Sequence, residues 1–444
     1  MSEVVNLQEK LVQEFALIEG ALNGQAQTPV HTIRKQAMRR FAELGFPTIR
    51  HEEWKHTNIM PILKNDYAFS QVEKSTLTKA DIERFLMPDV EANVLVFVNG
   101  AFAADLSTIL SEQGVEMMPL AEALKKKTAV IEQHFAKYAL WQNDALLALN
   151  TAFALNGAYI EIAKGAVVEE PFHLLFVNDS RAQSTFAPAR NLIVLGANAE
   201  VTVVESAHTL TSGENIGFTN VVSEIVLADN ARLHHYKVQN DVEQSYFIGA
   251  LHAHQEATSV LNTVVITLSG GIVRNNLSAV LAGKGADTHF YGLYLVNGKT
   301  LVDNHTLADH AVAHCTSNEL YKGIMDDRST GVFNGKIMVR PDAQKTLAYQ
   351  SNRNILMSPN ATVNTKPQLE IFADDVKCSH GCTSGQLDDE SVFYLRARGL
   401  DKEQAQALLL YAFAAEITEK IELESIRERL EHIIAERLHQ EFVL

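Results

Sequence analysis

The sequence predicts a mainly β protein whose long middle is wound as a β-solenoid between helical ends. Three observations carry this. Short β-prone runs recur from Ala158 onward, small turn clusters built on Gly, Asn or Asp followed by Ala separate them, and a helical apolar period marks the chain on either side. Hydrophobic residues make up 46% of the 444, enough to bury a large core over two or three domains.

Residues 1–155 read as mostly helical. In HTIRKQAMRRFAELGFP, Ile33, Ala37, Phe41 and Leu44 fall on one helical face, and Gly45 with Pro47 supplies the stop. The polar segment HEEWKHTN (51–58) follows, around one of two tryptophans. Ile82, Phe85 and Leu86 form a short stripe in 78–87, VLVFVNGAFAADL predicts a hairpin turning on Asn99-Gly100, and a helix is expected over 143–153.

Residues 156–384 are expected to form the solenoid. Its runs include AYIEIA, FHLLFV, NLIVLG, EVTVVES, SEIVLA, RLHHYKV, SVLNTVVITL, THFYGLYLV and GKIMVR. The turn alanines 166, 199, 231, 257 and 286 step by 33, 32, 26 and 29 residues, and Asp342-Ala343 and Asn360-Ala361 continue the series. Two or three short strands per step suit coils that stack and bury a continuous inward stripe. A β-sandwich is the alternative, but it would call for more Pro-rich hairpin turns than this stretch contains.

Residues 385–444 return to the helical period. Gly399 is placed to stop one helix, Asp401 and Gln404 fit a capping box for the next, and Ser425 with Glu428 fits another. Ile426, Leu430, Ile433 and Ile434 are expected to face inward.

Composition excludes several functions. A formal net charge of −16 argues against non-specific binding to nucleic acid or an anionic membrane. Three cysteines, two of them four residues apart, do not make a disulfide framework and fit a reducing cytoplasm. The acidic start MSEVVNLQEKLVQEF has no signal-peptide or transit-peptide character, and no apolar run approaches the ~18–20 residues of a membrane span. A cytoplasmic protein is expected. Neither a Walker A pattern nor GxGxxG occurs, so any ATP used would be bound by another polypeptide.

The chemistry concentrates in KPQLEIFADDVKCSHGCTSGQLDDESVFYLRARGL (366–400), which places Cys378, His380 and Cys382 at alternate positions. On an extended strand such residues project to one face, and thiolate with imidazole is a soft donor set for iron–sulfur species, zinc or cuprous copper. A closed zinc site takes four donors, so the remainder would come from a distant segment or another chain. Structural use of two small cysteines and a hydrogen-bonded histidine is the alternative. A second group, His305, Asp309, His310, His314 and Cys315, has spacings that would suit a helical metal site but lies in a strand-rich region. Asp374-Asp375 raises acid–base chemistry of a carbohydrate-active β-helix enzyme. The absence of an export signal and 7% aromatic residues weigh against that, and a turn role is expected for the pair.

The 366–400 run resembles the C-terminal signature of the SufB/SufD family of iron–sulfur cluster assembly scaffolds. The similarity continues through VDNHTLADH, SNELYKGIMDDRSTGVFNGKI, AQKTLAYQSNRNILMSPNA and the N-terminal RKQAMRRFAELGFPTIRHEEWKHTN, which resembles the SufD branch. The resemblance implies a right-handed parallel β-helix flanked by helical domains. It also implies a non-enzymatic scaffold subunit working with SufB and the ATPase SufC, which would dock on 385–444. ATP would be bound on SufC alone, and a transient cluster would form at the SufB interface. A homodimer of the isolated chain stays open as another assembly. The family's Cys-x-His falls on Cys378 and His380, with His380 the stronger candidate for cluster build-up. Cys382 stands where many relatives carry Ala. A stand-alone Cys/His zinc or redox-sensing protein is the rival reading.

Overall fold

The computed structural model describes residues 2–21, 28–69, 77–87, 90–110 and 113–438. Consecutive strands from Ala158 to Gly385 alternate between two ten-stranded sheets, and successive members of each sheet pair in parallel. The chain is a parallel β-solenoid of about eight turns with helical regions at both ends. In one sheet Arg232 stacks on Val260, then Asp287, Thr316, Leu347 and Lys377, steps of 28, 27, 29, 31 and 30 residues.

The corners explain the repeat. At one of them a left-handed residue precedes a small buried one: Asn198-Ala199, Asn230-Ala231, Thr258-Ser259, Gly285-Ala286, His314-Cys315 and Lys345-Thr346. The left-handed turn folds the chain inward, where only a small side chain fits, and the corner amides bond to the next coil, as Asn198 N–H to Asp229 O at 2.9 Å. Ala257 is therefore not the corner residue; Ser259 is, which removes the irregular 26-residue step. Ala343 and Ala361 are buried elsewhere, outside this column.

The solenoid interior is apolar at its beginning, where Leu95, Phe97, Phe172, Leu174 and Phe176 pack with Ile160 and Ile193. Strand Asn93–Val98 from the N-terminal region stacks on Phe172–Val177 and turns back at Asn99-Gly100 into Ala101–Phe102, the expected hairpin. Val115–Pro119 closes the other sheet by pairing antiparallel with Ala158–Ile162.

Helix Pro29–Leu44 ends at Gly45 as anticipated and packs against Ala145–Ala152 over the outer face of one sheet, around Phe186, Phe218 and Ile248. The C-terminal helices Lys402–Thr418 and Glu424–Arg437 double back over the other sheet, burying Leu410, Ile417, Ile421, Ile426 and Leu430 on Val264, Ile266, Leu293 and Ile324. The Asp401–Gln404 capping box is present. The Ser425–Glu428 box is not: that helix starts at Glu424, and Ser425 Oγ is buried with no hydrogen-bond partner among the described residues. Leu423 takes the cap position because its packing against the sheet sets the entry of the chain.

Candidate functional site

Cys378, His380 and Cys382 lie on the last strand, Lys377–Gly385, which stays regular through Gly381. They stack in register on Ala348, Gln350 and Asn352, which are buried on the inner face of the preceding coil. The three side chains therefore occupy inward positions of the solenoid. No further coil among the described residues covers them, so His380 and Cys382 are exposed and Cys378 half-buried. The expected single face holds, and its place in the fold, the open end of the core, was not legible from spacing.

The three donors do not form a closed metal site by themselves. Alternate residues of a strand stand ~6.7 Å apart, and no group of three or more His, Cys, Asp or Glu able to hold a metal ion occurs among the described residues. Cys382 Sγ sits 2.8 Å from Thr365 Oγ1, which reaches across from the last strand of the opposite sheet, and 3.9 Å from Asn352 Oδ1. Burial pushes the Cys378 thiol up, with the Ala348 backbone hydrogen bond opposing it, so the neutral thiol is favoured there.

Beneath the open end the interior turns polar. Gln350, under His380, donates from Nε2 to Glu319 Oε2 at 3.1 Å, and Thr306 Oγ1 donates to the same oxygen at 2.6 Å. Burial raises the Glu319 carboxyl to about 7 despite those two bonds. Beside this stack Asn352 donates to Tyr294 Oη at 3.1 Å, and Asn354 Nδ2 donates to Asn352 Oδ1 at 2.7 Å. Gly323 makes room for Tyr294 and Asn354 and Gly335 for Gln350; a Cβ on Gly335 would come within 2.4 Å of Gln350 Nε2.

The second sequence cluster comes apart. His305 and Asp309 point outward from strand Leu301–His310, His310 points inward to Ser317 Oγ at 2.8 Å, and Asp309 pairs with Arg340 at 2.7 Å. The helical spacing fails because the run is a strand that splits alternate residues between faces. His314 and Cys315 are a corner pair, and the Cys315 thiol, buried and pushed up by that burial, donates to Gly283 O at 3.3 Å. Asp375 also serves a turn: it pairs with Lys345, and its N–H bonds Gln344 Oε1 at 2.9 Å.

Sequence reasoning missed the network that fixes HEEWKHTN to the solenoid near this end. Trp54 lies 3.8 Å from the Arg274 guanidinium, which donates to Asp303 at 2.6 Å and to Glu53 O at 2.7 Å. Thr57 donates to Asp303 at 2.5 Å, His305 sits 2.9 Å from Asp303, and Glu52 pairs with Lys366 at 2.7 Å. Arg274 and His305 hold the buried Asp303 carboxyl far below the usual range. The segment borders a cleft of about 310 Å³ whose wall includes Thr365. Its residues are scattered over 52–366, which is why no local motif announced it.

On the C-terminal side, helix Asp389–Arg396 begins directly after the last strand and leaves Phe393 72% and Tyr394 56% exposed. No described helix is long and apolar enough to cross a membrane.

Comparison with known proteins agrees with this architecture. The SufBD core domain of the SUF system for FeS cluster assembly matches residues 176–413, and the SufBD protein N-terminal region matches 5–174. An iron–sulfur cluster assembly SufBD family protein of Synechocystis is 33% identical over 411 residues, 90% of each chain. Iron–sulfur cluster assembly protein SufD of Escherichia coli is 31% identical over 408 residues, covering 91% of this chain and 92% of its own. The Bacillus subtilis SufD is 24% identical over 413 residues, 91% and 93% of the two chains. With both regions matched in order over a parallel β-solenoid, the chain belongs to the SufBD family of iron–sulfur cluster assembly proteins.

Proposed function

We propose that this chain is the SufD-type scaffold subunit of a cytoplasmic SUF complex with SufB and the ATPase SufC, and that His380, with Cys378 beside it, takes part in cluster build-up at the SufB interface. The observation that carries the proposal is the open end of the solenoid. No strand among the described residues pairs beyond the two last ones, and Lys377–Gly385 presents there a row of soft donors that does not close a site by itself. Uncovered edges are a liability unless another chain pairs with them, and pairing with SufB would set that partner's ligands beside His380. The cluster is cargo, assembled there and passed on, and ATP would be consumed on SufC rather than here. The rival, a stand-alone zinc or redox site, needs donors that converge, and the spacing along the strand works against it.

The division into 1–155, 156–384 and 385–444 serves this role: a brace, a core and a docking region. Support for SufC docking on the last part comes from the exposed rings of Phe393 and Tyr394. Truncation after Asp401 would be a poor test, because helix Lys402–Thr418 covers Val264 and Ile266 and its loss would bare the sheet. Changing Phe393 and Tyr394 to Glu should abolish co-purification of SufC while leaving the thermal unfolding of this chain unchanged; retained SufC would refute that docking face.

The decisive experiment co-expresses the chain with SufB and SufC and compares wild type with His380→Ala for iron and acid-labile sulfide. An intact complex with little iron and sulfide is expected. Equal content would place the chemistry wholly on SufB.

A further inference from the structure

We propose that Gln350 and Glu319 are positioning residues for His380: Glu319 fixes the Gln350 amide from below, and the unpartnered Gln350 carbonyl oxygen is left to accept the ring N–H of His380 when that exposed side chain turns onto it, leaving the opposite ring nitrogen free at the open end. The inference rests on the reading of His380 as a cluster-assembly residue and says how its imidazole is oriented.

The argument starts from register. Glu319, Gln350 and His380 occupy equivalent inward positions in three successive strands of one sheet, so neighbouring members are ~4.8 Å apart at the backbone. Glu319 and Gln350 are both buried, at 1% and 3% exposure. Gln350 spends its N–H on Glu319 Oε2. Its other end, Oε1, is buried and has no hydrogen-bond partner among the described residues. A buried carbonyl left unpaired is costly, of order 1–3 kcal/mol, and the coil above supplies in register a ring that carries a donor. Gly335 keeps the amide in place from the side, since any larger residue would collide with Gln350 Nε2.

The chemistry of the arrangement is that of ligand histidines generally. Such a ring donates its remote N–H to a carbonyl or carboxylate, which fixes the tautomer and makes the other nitrogen a better donor to metal. The Gln350 amide is adjustable only while Glu319 lets it be. With Thr306 also donating to Oε2, the carboxylate is anchored and the amide cannot swing without losing its bond.

The test reads the nucleophilicity of His380 without any cluster. The isolated full-length chain is treated with diethylpyrocarbonate at about pH 8, where an ordinary imidazole is neutral, and modification of His380 is timed by peptide mass spectrometry. Gln350→Leu and Glu319→Leu should each slow His380 modification several-fold, whereas Glu319→Gln, which keeps an acceptor for the amide, should match wild type. Gly335→Ala, which displaces the amide without removing a polar group, should also slow it. If the two positions only hold the terminal coil together, their loss would loosen the strand and speed modification. Unchanged or faster modification in Gln350→Leu overturns the proposal. The outcome is independent of the iron and sulfide measurement on His380→Ala, so failure of the positioning role and failure of the assembly reading are told apart.

Discussion

The two ends of the solenoid are built on opposite principles. At the first end each sheet stops on an antiparallel pair, and the interior is filled by Leu95, Phe97, Leu174 and Phe176. At the last end both sheets stop on parallel strands with no described residue paired beyond them, and the interior holds Gln350, Asn352, Asn354, His380 and Cys382. Short edge strands, such as Ala101–Phe102 of two residues, are one way to blunt an edge that would otherwise recruit another chain. The contrast teaches that the open end is not an unfinished copy of the closed one: its core has been given over to polar groups that bond one another, with His380 and Cys382 left exposed at the top.

The comparison can be broken most severely where the N-terminal region braces the solenoid. Glu224, on the outer side of strand Gly217–Leu227, is fully buried, bonds the guanidinium of Arg190 at 2.7 Å, and accepts the N–H groups of Ala136, Tyr138 and Ala139. Glu224→Ala leaves the Arg190 charge buried with only the neutral Asn150 and Thr151 as partners, and urea unfolding should show a loss of about 3–5 kcal/mol. Cys378→Ala at the open end should cost under about 1 kcal/mol by the same measurement.

Opposite pH responses sharpen the contrast. Glu319 has its folded-state value raised to about 7, so its stability contribution is complete below the unfolded carboxyl range and is lost as pH rises through 7. Glu319→Gln should therefore gain on wild type by a few kcal/mol at pH 8 and much less at pH 5. Nearer the closed end burial lowers His173 to about 4 and, with His173 beside it, His208 to about 3. These rings fold neutral, so their contribution is present above the ordinary imidazole range and lost as pH falls toward 4. Unfolding of His208→Phe, which keeps the stack on Phe85, should depend less on acid than wild type.

The smallest effect tests the corner rule. Cys315→Ala should change stability by less than about 1 kcal/mol, because Ala is the residue at the equivalent corners, whereas Cys315→Leu should cost about 1–3 kcal/mol by overfilling it. A large loss in Cys315→Ala would mean that the thiol does more than fill the corner.

How much of this could be read from the chain follows from the same physics. The Gly/Asn-Ala corners announced the solenoid because left-handed backbone restricts residue choice, and they failed at Thr258-Ser259 and His314-Cys315, where other residues adopt the same turn. Cys315 was grouped with histidines by proximity in sequence, although it turns inward at a corner while His305 and Asp309 face outward from the strand before it. The inward placement of Cys378, His380 and Cys382 was hidden because Glu319, Gln350 and Asn352 look like surface residues in an alternating pattern. Polar interiors defeat hydrophobic periodicity. The network of Trp54, Arg274 and Asp303 was hidden for another reason: it joins segments more than two hundred residues apart.

The last strand ends at Gly385 and the helix carrying Phe393 and Tyr394 begins at Asp389, with no loop between them long enough to take up slack. The exposed rings and the row of donors therefore share one short tether, and because that strand is paired along its length with the coil before it, the helix is held at a fixed place beside His380.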